Sequence, residues 1–352
     1  MNQPIELYEL ENSHGMRVRV ISYGATLIGV DVPDRTGKVE NVTLHLDTPE
    51  AYLAGHPCLG SVVGRYANRI GRGRFTLDGE EYVLAVNNGP NHLHGGNRGF
   101  DKYFWDGEEF QGENSVGVEL RMHSPDGDEG YPGNMDVSVR YELTNDNELW
   151  LVYRATTDRP TVVNLTNHAY WNLRGCENPS EEVRPVENVM DHELRIFADA
   201  YLVPDENVLP TGEIAPVAGT MMDFTRTRKI GSLLEGAADG SAPAGAGYDH
   251  CFVLWKTGEA YRPEFPELKL AAEAYEETSG RRMTLFTTTP GVQLYTGNHL
   301  GGQGGSGYLW GRWSGFCLET QAFPDSPNRP EFPSTVLRPG ETYTQTTVFR
   351  FS

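Results

Sequence analysis

The sequence predicts an all-β chain with little helix, built as an antiparallel sandwich or barrel, and three observations carry that prediction. Apolar and polar residues alternate with a period of two in Met16-Arg-Val-Arg-Val-Ile, Gly117-Val-Glu-Leu-Arg-Met, Asp136-Val-Ser-Val-Arg-Tyr-Glu-Leu and Leu149-Trp-Leu-Val-Tyr-Arg-Ala. Such alternation marks strands with one face on a core and one toward solvent. Forty glycines and 22 prolines, spread along the whole chain, cut it into short segments. Turn residues fall between those segments at Asp78-Gly79, Asp126-Gly127 and Asn145-Asp146-Asn147, where Asn, Asp and Gly tolerate the tight backbone conformations a hairpin needs.

Taken in order, the elements are strands with two short helical turns, one from Pro49 to Leu53 and one from Lys229 to Leu234, where Ser232 could serve a cap. The segment from Cys176 to Asn188 is rich in Glu, Pro and Asn, and Gly236 to Gly247 is nearly all Ala, Gly, Ser and Pro. Both read as surface loops, because strand patterns resume at once on either side. The glycines of Gly301 to Gly307 do not join a strand to a helix, so they form a flexible loop and not a phosphate cradle. No long linker divides the chain, and no short period repeats.

Twenty-nine basic against 49 acidic residues give a formal charge of -20. That balance repels polyanions, so nucleic acid and anionic membrane surfaces are excluded as partners and a neutral small molecule is the expected substrate. Cys58, Cys176, Cys251 and Cys317 lie far apart without a CxxC pair and read as buried free thiols. The N-terminus has no basic patch followed by an apolar stretch, and no apolar run approaches the roughly 18 residues that cross a bilayer. A cytoplasmic location is the default expectation. The sequons at Asn41 and Asn164 then carry no meaning.

Residues of catalytic type gather at strand ends. In Gly315-Phe-Cys-Leu-Glu-Thr-Gln, Glu319 follows a short apolar run, a place where desolvation raises a carboxylate's pKa and strengthens its pull on a proton. Asn68 and Arg69 offer an amide and a guanidinium fork after an apolar strand. His92 and His94, at i and i+2, share one face if they lie on a strand; that spacing suits zinc, but further ligands are not evident nearby. His168 stands among aromatics and amides in Thr166-Asn-His-Ala-Tyr-Trp-Asn-Leu, and histidine is the side chain best able to exchange a proton near neutral pH. Asp249 opens another apolar strand, and Gln293 shares a face with Tyr295. Each alone reads as a turn, edge or core residue. Together they describe a cleft for a polyhydroxylated ring, with Trp105, Tyr170 and Trp171 as stacking aromatics. No serine elbow, phosphate loop or dinucleotide fingerprint competes with it.

The motifs GRYANRI (64-70), NHLHGG (91-96), SPDGDEGYPG (124-133), TNHAYWNL (166-173), DHELRIFADAYLVPDENVLPTGEI (191-214), GYDHCF (247-252), PGVQLYTGN (290-298) and GFCLETQAFPDSPN (315-328) resemble, in order, those of the aldose 1-epimerases, the galactose mutarotases. The resemblance covers nearly the whole chain. It implies one domain over residues 1-352, a large β-sandwich of the galactose mutarotase type with an open sugar cleft, acting as an isomerase of free aldoses as monomer or homodimer. It implies Glu319 as general base, His168 as general acid, and Asn68, Arg69, His94, Tyr170, Asp249 and Gln293 as sugar contacts, with neither cofactor nor metal. For that role His168 is expected to be protonated at working pH, held so by Asp249 or Glu319, and activity is expected to vary through the range where histidine titrates. The segments Glu177-Asn188 and Gly301-Trp313 depart from the family's pattern and bear on sugar preference. Three rival readings remain at this stage. They are an epimerase of hexose 6-phosphates, drawing on Arg65, Arg69 and Arg72, a non-catalytic sugar-binding module, and a glycoside hydrolase using Glu319 and Asp249.

Overall fold

The computed structural model describes residues 4-176, 184-234, 247-254, 260-301 and 308-352. Most of the expected loops at 177-188, 236-247 and 301-307 lie outside these residues. Among the described residues the chain is built of strands joined by turns, with only short 3-10 turns besides.

Three sheets make the body. Nine strands form the largest, in spatial order Asp106–Gln111, Ser115–Ser124, Met135–Thr144, Glu148–Thr157, Tyr343–Phe351, Arg282–Thr287, Lys269–Tyr275, Glu193–Ile196 and Arg228–Lys229. The last strand of the chain thus closes the middle of the sheet, between Glu148–Thr157 and Arg282–Thr287. Five strands form a second sheet, ordered Pro210–Pro216, Ala198–Pro204, Asp249–Leu254, Gly291–Tyr295 and Cys317–Gln321. A third runs Leu7–Glu11, Arg17–Ile21, Thr26–Pro33 and Val39–Asn41.

The inward positions of all three sheets meet in one core: Val18, Val20 and Val30 pack with Val118, Leu120, Val137 and Val139, and with Phe252, Val292, Leu294 and Leu318. Met135–Thr144 shows how the sequence dictates this, since its buried and half-buried residues alternate strictly over most of its length and period two carries every second side chain inward. Burial at these positions is the main stabilising term. The Asp78-Gly79 turn joins Arg74–Leu77 to Glu80–Val83, and Asn145-Asp146-Asn147 joins Met135–Thr144 to Glu148–Thr157, as the sequence predicted. Asp78 and Gly79 both have positive φ, 52° and 85°, the tight hairpin geometry that an Asp-Gly pair adopts readily.

Both helical turns are present, Pro49–Ala54 and Ile230–Leu233. Ser232 does not cap its turn; its hydroxyl donates back to the Lys229 carbonyl at 2.7 Å. Asn41 and Asn164 are fully buried, which closes both sequons to glycosylation. Among the described residues, no helix is long and apolar enough to cross a membrane.

Candidate active site

Period two on the five-stranded sheet places Asp249, Gln293, Tyr295, Cys317 and Glu319 on one face. Asp249 pairs across the strands with Tyr295, Tyr295 with Cys317, and Gln293 with Glu319. Residues directly opposite in an antiparallel pair point to the same side. The alternate residues Phe252, Val292, Leu294 and Leu318 go to the core, so burying one face of the sheet presents the other as a polar platform.

Glu319 is 2% exposed. Burial, reinforced by the Asp249 carboxylate and opposed by the Arg69 guanidinium, pushes its pKa up to about 8. The direction is the one expected from a carboxylate after an apolar run. Its Oε2 is buried without a hydrogen-bond partner, and so is Oε1 of Gln293. Unpaired polar atoms in a buried place are costly, and hydroxyl groups, which both donate and accept, are the natural partners to satisfy them. Gln293 donates through Nε2 to Asp249 Oδ1 at 2.6 Å.

His168 enters from outside this sheet. It follows the two-residue strand Thr166–Asn167, which pairs with Val62–Val63, and its backbone is held on both sides, N–H to Ser61 and C=O from Gly60, each at 3.0 Å. Its Nε2 lies 3.7 Å from Glu319 Oε1, and its Nδ1 lies 3.4 Å from Cys317 Sγ. The ring packs against Tyr170 at 4.9 Å between centroids, with the edges of His94 and Tyr295 around it. Burial lowers its pKa to about 4, and a hydrogen bond to the His168 backbone together with the Asp249 carboxylate offsets only part of that. The expectation that a carboxylate neighbour keeps His168 protonated is therefore corrected for the empty cleft: desolvation outweighs the attraction, and the ring is neutral at pH 7.

Asn68, with φ of 63°, turns the backbone so that its N–H donates to His94 Nδ1 at 3.2 Å while its C=O accepts the His94 N–H at 3.0 Å. A ring nitrogen that accepts leaves the proton on the other, so His94 presents Nε2–H as a donor. Ligand atoms of His94, His168 and Glu319 all lie within 4.8 Å of one another. The proton on Nε2 makes His94 a partner for a hydroxyl oxygen and not a lone pair for a cation. Arg69 is held by Nε to Asn88 Oδ1 at 3.1 Å, and its Nη2 lies 3.7 Å from Asp249 Oδ2.

The fold thus gathers Asn68, Arg69, His94, His168, Tyr170, Asp249, Gln293 and Glu319 into one neighbourhood from six separate motifs. Several expectations do not survive. His92 and His94 do not act together: the strand ends at Leu93, His94 takes a left-handed conformation, and the His92 ring bonds the Ala85 carbonyl and the Tyr131 hydroxyl. Trp105 and Trp171 are core residues, 1% exposed, the first against Phe100 and the second against Phe349 and Phe351. Tyr170 is buried too, with its hydroxyl donating to the Pro57 carbonyl at 3.1 Å, and its ring supports His168. Arg65 is buried and donates to the carbonyls of Ser124, Pro132 and Gly133, and Arg72 is exposed. Neither joins Arg69 to make a basic pocket for a phosphate.

Sequence reasoning gave no place in the site to Asn88, Tyr295 or Cys317. Tyr295 was legible as the same-face neighbour of Gln293. Asn88 carries no local signal, because it meets Arg69 only through tertiary folding.

Comparisons with known proteins identify relatives of this chain. The family model for aldose 1-epimerase matches residues 6-350. The chain is 45% identical over 350 residues to galactose mutarotase of Bos taurus, covering 99% of this chain and 94% of that one. It is 40% identical over 352 residues to aldose 1-epimerase of Escherichia coli, with 99% and 96% covered. The crystal structure of an aldose epimerase homologue from C. elegans superposes with a TM-score of 0.85 at 30% identity, covering 99% of each chain. A β-sandwich with this polar platform, matched over nearly its full length by relatives this similar, belongs to the aldose 1-epimerase family of isomerases.

Proposed function

We propose that this chain interconverts the α and β anomers of free aldoses, galactose and glucose among them, with Glu319 and His168 exchanging the protons. The observation that supports it best is the buried His168–Glu319 pair, 3.7 Å apart, with Glu319 Oε2 unpaired. The separation exceeds a hydrogen bond, which leaves each group free to engage a sugar oxygen.

Between about pH 4 and about pH 8 the pair carries one proton, on Glu319, in the empty cleft. Ring opening starts from the other tautomer, with His168 charged and Glu319 ionised, which has the same proton count. Glu319 takes the proton of the anomeric hydroxyl while His168 gives one to the ring oxygen, and the C1–O5 bond breaks. This leaves Glu319 protonated and His168 neutral, the arrangement that the empty site prefers. The C1–C2 bond then rotates, and closure on the other carbonyl face reverses both transfers. The open-chain aldehyde is thus matched to the resting protonation of the site, and a closed-ring sugar has to draw the proton across to His168.

His94 Nε2–H, the Arg69 guanidinium, the Asn68 and Gln293 amides and Asp249 are the groups we assign to ring hydroxyls, while Tyr170 backs the His168 ring. Fixing the ring against an acid and a base converts chance encounters into an oriented reaction. The hexose 6-phosphate reading lacks a cluster of cations, since Arg65 is turned to backbone carbonyls. We also read residues 1-352 as one domain, because a single core joins Tyr8 to Phe351.

The test is polarimetry of freshly dissolved α-D-glucose and α-D-galactose with wild type, Glu319→Gln and His168→Asn. Each substitution is expected to lower kcat by roughly 10² to 10⁴. A Glu319→Gln protein that still accelerates both sugars as wild type does refutes the assignment.

A further inference from the structure

Cys317 was legible only as a buried thiol. It stands on the same sheet face as Glu319, two residues before it, and it is fully buried. Its Sγ lies 3.4 Å from His168 Nδ1, within the range of a hydrogen bond to sulfur. The opposite ring nitrogen, Nε2, is the one near Glu319. One strand therefore supplies both partners of the imidazole, one at each nitrogen.

From this we infer that Cys317 is a positioning residue: its sulfur accepts the Nδ1–H of His168, so that Nδ1 keeps its proton and Nε2 alone exchanges one with the sugar and Glu319. Three observations carry the assignment. A neutral thiol can accept an N–H or donate its S–H, and the other side of the ring decides between them: Nε2 faces Glu319, which holds the proton in the empty cleft and is matched by a bare Nε2, so Nδ1 keeps the ring proton and the sulfur accepts it. Among the described residues Cys317 supplies a side-chain partner to the ring at Nδ1, and a hydrogen bond to the His168 backbone adds to it. The packing of Tyr170 on the ring at 33°, with His94 and Tyr295 at its edges, fixes the ring plane but does not distinguish a ring from the same ring turned by half a rotation. Only a polar group at one nitrogen does that.

The consequence bears on the reaction. With the proton parked on Nδ1, neutral His168 has a bare Nε2 ready to receive a proton when the pair changes tautomer, and charged His168 gives that same proton to the ring oxygen. The opposite tautomer would present a filled Nε2 to Glu319 and hold its lone pair at sulfur, where no sugar reaches. This inference rests on His168 as the proton donor of the proposed reaction.

Two measurements test it. Nitrogen-15 chemical shifts of His168 in the wild-type protein are expected to show the Nδ1–H tautomer at pH 7, and in Cys317→Ala a mixture or a reversal. In polarimetry Cys317→Ala is expected to lower kcat at least about tenfold with KM within about twofold, and Cys317→Ser to restore most of the loss, a fraction of the roughly 10² to 10⁴ that a positioned acid contributes. A wild-type spectrum with the proton on Nε2 overturns the inference without any variant. So does a folded Cys317→Ala with wild-type kcat and tautomer. If instead His168→Asn retains activity, the catalytic reading of His168 fails, while the tautomer assignment stands or falls on the spectrum alone.

Discussion

Gln293 stands directly across from Glu319 in the five-stranded sheet and donates through its amide to Asp249 Oδ1 at 2.6 Å, so one side chain spans the gap between two carboxylates. Asp249 raises the Glu319 pKa and also raises that of His168. Asp249→Asn removes a negative charge from both. Glu319 then ionises more easily and His168 protonates less easily, so both limbs of the pH–activity profile are expected to move to lower pH. Limbs that stay in place would show that Asp249 is electrically remote from the pair.

The profile of kcat/KM for the wild type follows from the same two groups. The pair holds its single proton between about pH 4, where His168 gains a second, and about pH 8, where Glu319 loses the only one. Activity is expected to be level across neutral pH and to fall on each side, measured by polarimetry from about pH 3 to about pH 10 after subtraction of the spontaneous reaction. This replaces the sequence-based expectation of a change near the ordinary histidine pKa. A single step at that point would mean that His168 titrates as an exposed ring does.

Stability has its own pH dependence, and its sign is unusual for a carboxylate. The folded-state pKa of Glu319 lies above its ordinary 4.5, at about 8. The folded protein therefore holds a proton that the unfolded chain has released, and stability from this group is present below about pH 4.5 and lost as the pH rises through about 8. Glu319→Gln does not titrate. Its melting temperature relative to wild type is expected to rise across that window, by an amount corresponding to a few kcal/mol at most. A difference independent of pH would place the Glu319 pKa near its ordinary value.

Trp171 belongs to the core. Its ring packs on Phe349 and Phe351 at 4.8 and 5.7 Å between centroids. Trp171→Ala is expected to cost about 3 to 5 kcal/mol in chemical denaturation, and the milder Trp171→Phe to lose stability while leaving KM within about twofold of wild type. A stable Trp171→Phe with a greatly raised KM would return this residue to the sugar.

Much of this protein is set by sequence alone, because the signals are local. Alternation over Asp136 to Leu143 needs only the two-residue period of a strand, and Asp78-Gly79 needs only the tolerance of two adjacent residues for positive φ. Glu319 was readable as a surfacing carboxylate because an apolar run stands directly before it. The motifs also named the eight residues that the fold brings to one place.

Tertiary structure decided what those residues can do. The charge of His168 depends on how completely Tyr170, Tyr295 and His94 exclude water from its ring, and no stretch of sequence records a dielectric. Whether a buried aromatic packs in the main core or behind a site residue, as for Trp171 against Tyr170, depends on which side chains it meets in the fold. Cys317 gained a role because His168, 149 positions away, delivers Nδ1 to its sulfur. Local backbone preference acts between neighbours in the chain, whereas burial and proton placement belong to neighbours in space.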